Sequence, residues 1–288
     1  MEPTAHETRH DAVFHAAYDK VLAKWPADTE QSAVSTPFGT TCVTSCGPQD
    51  GPPLILLPSG RTPSVSWYAN AADLSRTHRV HALDLLGEPG RSVPDPRHPL
   101  RTAADLTSWL DAVLDGLGIE STALAGHSYG GWIALHHALH APTRITRLAL
   151  LDPTLCFTGY QVGYLLRAVP MMLRPTPRRI RTFLEWESGA ATPDAEWLRL
   201  QEATAGFPTT KPVTGPRPSA TALRSLHIPV LLLVAAGSRA HDSRQVAARA
   251  AESLPRVETA VLPGVSHHAL PHTNPAATNR HLLEFLSD

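Results

Sequence analysis

Short, uninterrupted apolar runs alternate along the chain with longer stretches of helical spacing. The runs lie at 54–57, 80–83, 123–125, 148–151, 230–234 and 259–262, and between them helices are predicted near 67–75, 103–117, 131–140, 243–254 and 276–286. A run with no polar alternation reads as a strand buried on both faces. This order therefore predicts an α/β fold, a mostly parallel sheet covered by helices on both sides. Ahead of it, Val13, Ala17, Val21, Leu22 and Trp25 recur at helical spacing and predict an N-terminal helix over 11–25. Residues 35–45 alternate around Phe38-Gly39 and predict a β-hairpin.

One interval breaks the alternation. Between Leu151 and Pro229 no buried strand is predicted; helical patterns fall at 160–173, 178–186 and 195–203, with prolines at their ends. So long a segment inside a compact domain predicts an inserted helical element, with the proline-rich stretch 208–218 as its return. The expected organisation is a core of 1–152 and 227–288, with a helical insertion over 153–226.

Composition narrows the classes. The 288 residues are 42% hydrophobic and 18% charged, enough for a large core. A net charge of -1 points to neither nucleic acid nor an anionic membrane as partner. The longest apolar stretches, 53–58 and 228–237, are too short to span a bilayer, and the polar start of the chain lacks a signal-peptide core. Three cysteines, Cys42, Cys46 and Cys156, make a disulfide framework unexpected and a reducing cytoplasm the default compartment. Among sixteen histidines, His136 and His140 stand at i, i+4, but no Glu follows in the zinc-protease manner, so no metal is expected.

The most informative segment is Gly126-His127-Ser128-Tyr129-Gly130, lying between a predicted strand and a predicted helix. Strand, five-residue turn and helix make the context in which G-x-S-x-G is a nucleophile elbow. The glycines remove the Cβ atoms that would clash where the chain reverses, leaving the serine oxygen exposed at the sheet edge.

With this elbow, three further segments resemble the α/β-hydrolase superfamily in the family's order. Leu56-Leu57-Pro58-Ser59-Gly60 stands where the family has a strand and His-Gly. The stretch from Leu83 to Ser92 resembles its Asp-x-x-Gly-x-Gly-x-Ser loop with one extra residue, in which Asp84 and Gly87 shape the turn. Leu262-Pro263-Gly264-Val265-Ser266-His267 resembles the closing strand and histidine loop. The resemblance implies an eight-stranded-type sheet, a helical cap over 153–226 following the sixth strand, and serine chemistry without a cofactor.

It also implies roles. Ser128 is the expected nucleophile and His267 its base, with His268 beside it as rival. The family's usual acid position, after the strand at 230–234, holds Ser238, Arg239 and Ala240. Asp152, directly after the run at 148–151, is therefore the favoured acid; Asp242, whose plain reading is a helix N-cap, is the alternative. Oxyanion donors are expected from the amides of Tyr129 and Gly60. Arg61, Trp67, Phe157, Tyr160 and Tyr164 are candidates for substrate contact.

A serine at 128 excludes the aspartate chemistry of haloalkane dehalogenases and epoxide hydrolases, and Tyr129 departs from the methionine usual in cofactor-free perhydrolases. The expected reaction is hydrolysis of an ester, thioester or lactone of a mainly apolar small molecule. A biosynthetic thioesterase or cyclase acting on a polyketide-like chain, and a non-catalytic ligand-binding homologue, are the alternatives. The oligomeric state is not legible.

Overall fold

The computed structural model describes residues 5–189 and 193–287; residues 1–4, 190–192 and 288 of the expected ranges lie outside the described residues. Helix α1 (Ala5–Leu22) precedes a hairpin of β1 (Glu30–Thr36) and β2 (Gly39–Cys46). Then come β3 (Pro53–Leu57), α2 (Tyr68–Leu74), β4 (Arg79–Leu83), the short β5 (Val93–Pro94), α3 (Ala103–Gly116), β6 (Thr122–His127), α4 (Tyr129–His140) and β7 (Ile145–Leu151). Among the described residues four helices then follow with no strand between them: α5 (Val162–Leu173), α6 (Pro177–Ser188), α7 (Ala195–Ala203) and α8 (Ala220–Arg224). The chain closes with β8 (Val230–Ala235), α9 (Ser243–Ser253), β9 (Val257–Leu262) and α10 (Pro275–Ser287).

The described residues form a nine-stranded sheet in the order β1-β2-β4-β3-β6-β7-β8-β9, with β5 paired to β2. From β4 to β9 every pairing is parallel; the hairpin and β5 supply the antiparallel edge. The hairpin begins at Glu30, earlier than expected. As an edge strand, β1 keeps most of its side chains out of the core, so its start carries no apolar signal. The two-residue β5, paired only to β2, was not predicted; without it β7, which precedes the run of helices, is the sixth strand of the chain.

Successive strand residues serve opposite cores. Ile55, Leu57, Leu124, Leu148, Leu150 and Leu232 pack with Trp109 and Leu110 of α3, Trp132 and Ile133 of α4, and Val246 of α9. Leu54, Leu56, Leu151, Leu231 and Leu233 face the other way, onto Leu74 of α2 and Leu282 and Phe285 of α10. Each such fully buried side chain contributes about 1.5–3 kcal/mol. This double burial rigidly fixes the C-terminal ends of β6, β7 and β8, where open α/β sheets build their sites. The three cysteines are free and buried. No helix among the described residues is long and apolar enough to cross a membrane.

Candidate active site

Ser128 stands between β6 and α4 at φ 54°, ψ −112°, a conformation that is costly for a residue with a side chain. Two glycines allow the turn that imposes it. A Cβ on Gly126 would lie 2.3 Å from the Gly130 carbonyl oxygen, and one on Gly130 would lie 2.4 Å from the carbonyl oxygens of Leu57 and Pro58. The Ser128 amide donates to the Leu151 carbonyl (2.9 Å), which ties the elbow to the end of β7.

A continuous hydrogen-bond chain leads away from the hydroxyl. Ser128 Oγ lies 2.9 Å from His267 Nε2, and His267 Nδ1 lies 2.6 Å from Asp152 Oδ2. An ionised carboxylate can only accept, so Nδ1 carries the proton and the Nε2 lone pair faces the serine. His268, the rival base, instead meets the Tyr164 hydroxyl at 3.1 Å; burial holds its pKa well below the ordinary histidine value.

Asp152 follows β7 at φ 43° and is fully buried. Besides His267 it accepts from the Ala235 amide (3.0 Å), Ser238 Oγ (2.8 Å) and His241 Nε2 (3.0 Å). Burial alone would raise its pKa, but the donors from His241 and His267 outweigh burial and hold the carboxyl far below the usual range. His267 balances the other way. Burial favours its neutral form, yet hydrogen bonding and charge from Asp152, with Glu187 adding to them, leave its pKa raised. Asp242 takes no part: it is exposed and caps α9, accepting from the Gln245 amide.

The backbone of His267 is held from two directions. Glu187, at the end of α6 and 1% exposed, accepts from the His267 amide (2.8 Å), the Ser266 hydroxyl (2.8 Å) and the His268 amide (3.1 Å). On the other side, His127 Nε2 donates to the His267 carbonyl (2.8 Å); burial pushes the His127 pKa down to about 3, so it donates as a neutral ring. Nothing local in the sequence marked Glu187, because its partners are distant along the chain. Ser238 and His241 left a faint signal, as polar donors in the loop that lacks its usual acid.

Tyr129 opens α4, where a first-turn amide has no intrahelical acceptor. Gly60 packs beside it: a Cβ there would lie 3.6 Å from Tyr129 Cβ. In the same loop the Arg61 amide is taken by Glu88 (2.8 Å) and the Thr62 amide by the Ser59 carbonyl (3.3 Å).

The remaining candidates divide. Tyr160 stacks on Tyr164 with ring centroids 5.7 Å apart, and Tyr164 stands edge-on to His267 at 6.2 Å. Phe183 of α6 stands edge-on to both Tyr164 and His268. Trp67 is corrected: it is 1% exposed in the core between the sheet and α2, because its position ahead of that helix turns the indole inward. Phe157 is likewise a core side chain, packed with Cys156 on the α4 and α9 face. Arg61 bridges to the insertion, donating to the Thr204 carbonyl (3.3 Å) and the Thr209 hydroxyl (3.5 Å), which leaves it poorly placed to receive a substrate anion. Of the described residues, no group of three or more His, Cys, Asp or Glu is arranged to hold a metal.

A model of the alpha/beta hydrolase family matches residues 54–281. Carboxylesterase YbfK of Bacillus subtilis (strain 168) is 30% identical over 282 residues, covering 95% of this chain and 93% of the relative. A second carboxylesterase of that organism, the uncharacterized nap, is 29% identical over 286 residues, covering 95% and 92%. The crystal structure of YbfK (CesB) superposes with a TM-score of 0.89 at 28% identity, covering 96% of this chain and 98% of that one. The crystal structure of naproxen esterase from Bacillus subtilis gives 0.89 at 26% identity, covering 99% and 100%. The chain belongs to the alpha/beta hydrolase family and is an esterase-like member of it.

Proposed function

We propose that the protein cleaves carboxylic esters of a mainly apolar small molecule through an acyl-serine intermediate, with Ser128, His267 and Asp152 as catalytic triad. The observation that carries this reading is the unbroken chain from Ser128 Oγ through His267 to Asp152, at 2.9 and 2.6 Å. His267 Nε2 takes the hydroxyl proton as Ser128 attacks the ester carbonyl, and the buried Asp152 carboxylate stabilises the imidazolium that forms. The amides of Tyr129 and Gly60 receive the developing oxyanion. His267 then protonates the departing alkoxide. Water, activated by the same nitrogen, releases the acid and restores the serine.

The helical insertion acts as the cap of this site, bringing Tyr160, Tyr164 and Phe183 to the side of His267 and His268. Tyr160, the partly exposed ring of the three, offers apolar surface to an acyl group, with Tyr164 and Phe183 packed behind it, which favours esters of apolar acids. A strained serine aligned on an imidazole favours catalysis over ligand binding alone.

Intact mass after fluorophosphonate treatment tests the proposal without knowledge of the substrate. One adduct on the wild type that is lost in Ser128→Ala is the expected result. An unlabelled wild type that is folded and turns over no ester would overturn it.

A further inference from the structure

Six of the nine exposed large hydrophobic side chains among the described residues lie on one helix. Val162, Leu165, Leu166, Val169, Met172 and Leu173 all belong to α5, with Val162 and Leu166 each 71% and Leu173 77% exposed. Their spacing gathers them on one stripe, while Tyr164 and Ala168 turn inward to pack with Ile180, Phe183 and Leu184 of α6. Single exposed apolar residues are ordinary on a protein surface; a contiguous stripe marks an interaction site.

Charge identifies what the stripe fits. From residue 153 to 184 the chain has no Asp or Glu, yet it carries Arg167, Arg174, Arg178 and Arg179, all exposed, besides Arg181, which pairs with Glu202 of α7. The net charge of -1 for the whole chain conceals this local excess. Glu187, the second acid after it, is turned inward onto the histidine loop. Between α5 and α6 runs a groove of about 630 Å³ lined by Leu166, Met171 and Trp186 together with Arg167, Arg178 and Arg179. Apolar side chains flanked by guanidinium groups are what seats an amphipathic helix in the headgroup layer of an anionic bilayer. A second copy of the chain fits less well, since two paired α5 stripes would bring no carboxylate from 153–184 to neutralise the arginines at the seam.

We propose that the outer face of α5 docks on an anionic lipid surface. Tyr164, on the inner face of the same helix, reaches His268 beside the catalytic histidine, so docking places the lipid phase one helix away from the site. The docking itself requires nothing of the triad; only its bearing on ester turnover rests on the proposed function.

Co-sedimentation of the full chain with phosphatidylglycerol-containing vesicles, against pure phosphatidylcholine vesicles, tests the proposal. The wild type is expected to bind the anionic vesicles and to be released by high salt. Arg174→Gln with Arg178→Gln should weaken that binding roughly 30-fold, and Leu166→Ser with Leu173→Ser should abolish it. Both variants should turn over a water-soluble short-chain ester at the wild-type rate, which reports an intact fold and site. A wild type that ignores anionic vesicles, or binds both kinds equally, would overturn the proposal. So would a dimer, seen by light scattering, that the leucine substitutions dissolve. Absence of ester turnover with vesicle binding retained would instead count against the triad.

Discussion

Asp152 and Asp242 follow adjacent parallel strands, β7 and β8, and their surroundings differ in almost every respect. Asp152 comes immediately after its strand, is fully buried, and accepts four hydrogen bonds, one of them from His267. Asp242 stands beyond a loop, is exposed, and accepts from the first turn of α9. Yet the loop before Asp242 is not idle. Ser238 and His241 in it donate to Asp152, as does the amide of Ala235 at the end of β8, so the loop without the usual acid supplies donors to the aspartate beside it. In the proposed triad, residue type alone does not select the acid; the donors that keep a buried carboxylate ionised do.

Removing those donors tests how far the comparison holds. Ser238→Ala combined with His241→Ala leaves Asp152 buried with two of its four partners gone, and kcat should fall by roughly 10–100-fold with a smaller change in KM. A double variant with unchanged kcat would mean that the β8 loop does not support the acid.

Glu187→Gln should act through His267 rather than through the substrate. An amide cannot accept at both ends, so one of the three donors loses its partner, and kcat should fall by about tenfold. The pH profile gives a second reading. In the proposed mechanism His267 must be neutral to take the serine proton, so kcat/KM is expected to fall as pH drops through its raised pKa. The groups around it are Asp152, Glu187, His127, His241, His268 and the Tyr164 ring. Loss of the Glu187 negative charge should move the acid limb to lower pH. A fixed limb would reduce Glu187 to packing.

The smallest effect belongs to the other aspartate. Asp242→Ala removes an N-cap and should lower stability by about 1 kcal/mol, seen in a denaturant midpoint, while kcat stays within a few-fold of wild type.

Much of this was legible in the sequence because the central strands are buried on both faces and appear as unbroken apolar runs. The edge was less so: β1 is largely exposed and β5 is two residues long, so neither leaves a pattern. At the site, the Ser128 elbow is a local motif with a steric cause. Glu187 and its partners are joined only by folding, and no periodicity encodes such a contact. Trp67 shows the converse limit: an aromatic residue near a predicted oxyanion loop looks like a substrate contact until its burial among Leu54, Leu56 and Leu74 is seen. The net charge likewise averages away the arginines beside α5.

The most direct test of the account is to measure turnover of one p-nitrophenyl ester by Asp152→Asn and Asp242→Asn, each with its fold checked by circular dichroism. The account predicts a loss of about 10⁴-fold for Asp152→Asn, because the amide stabilises the wrong histidine tautomer, and near wild-type turnover for Asp242→Asn. The reverse pattern, or full activity in both, would contradict it.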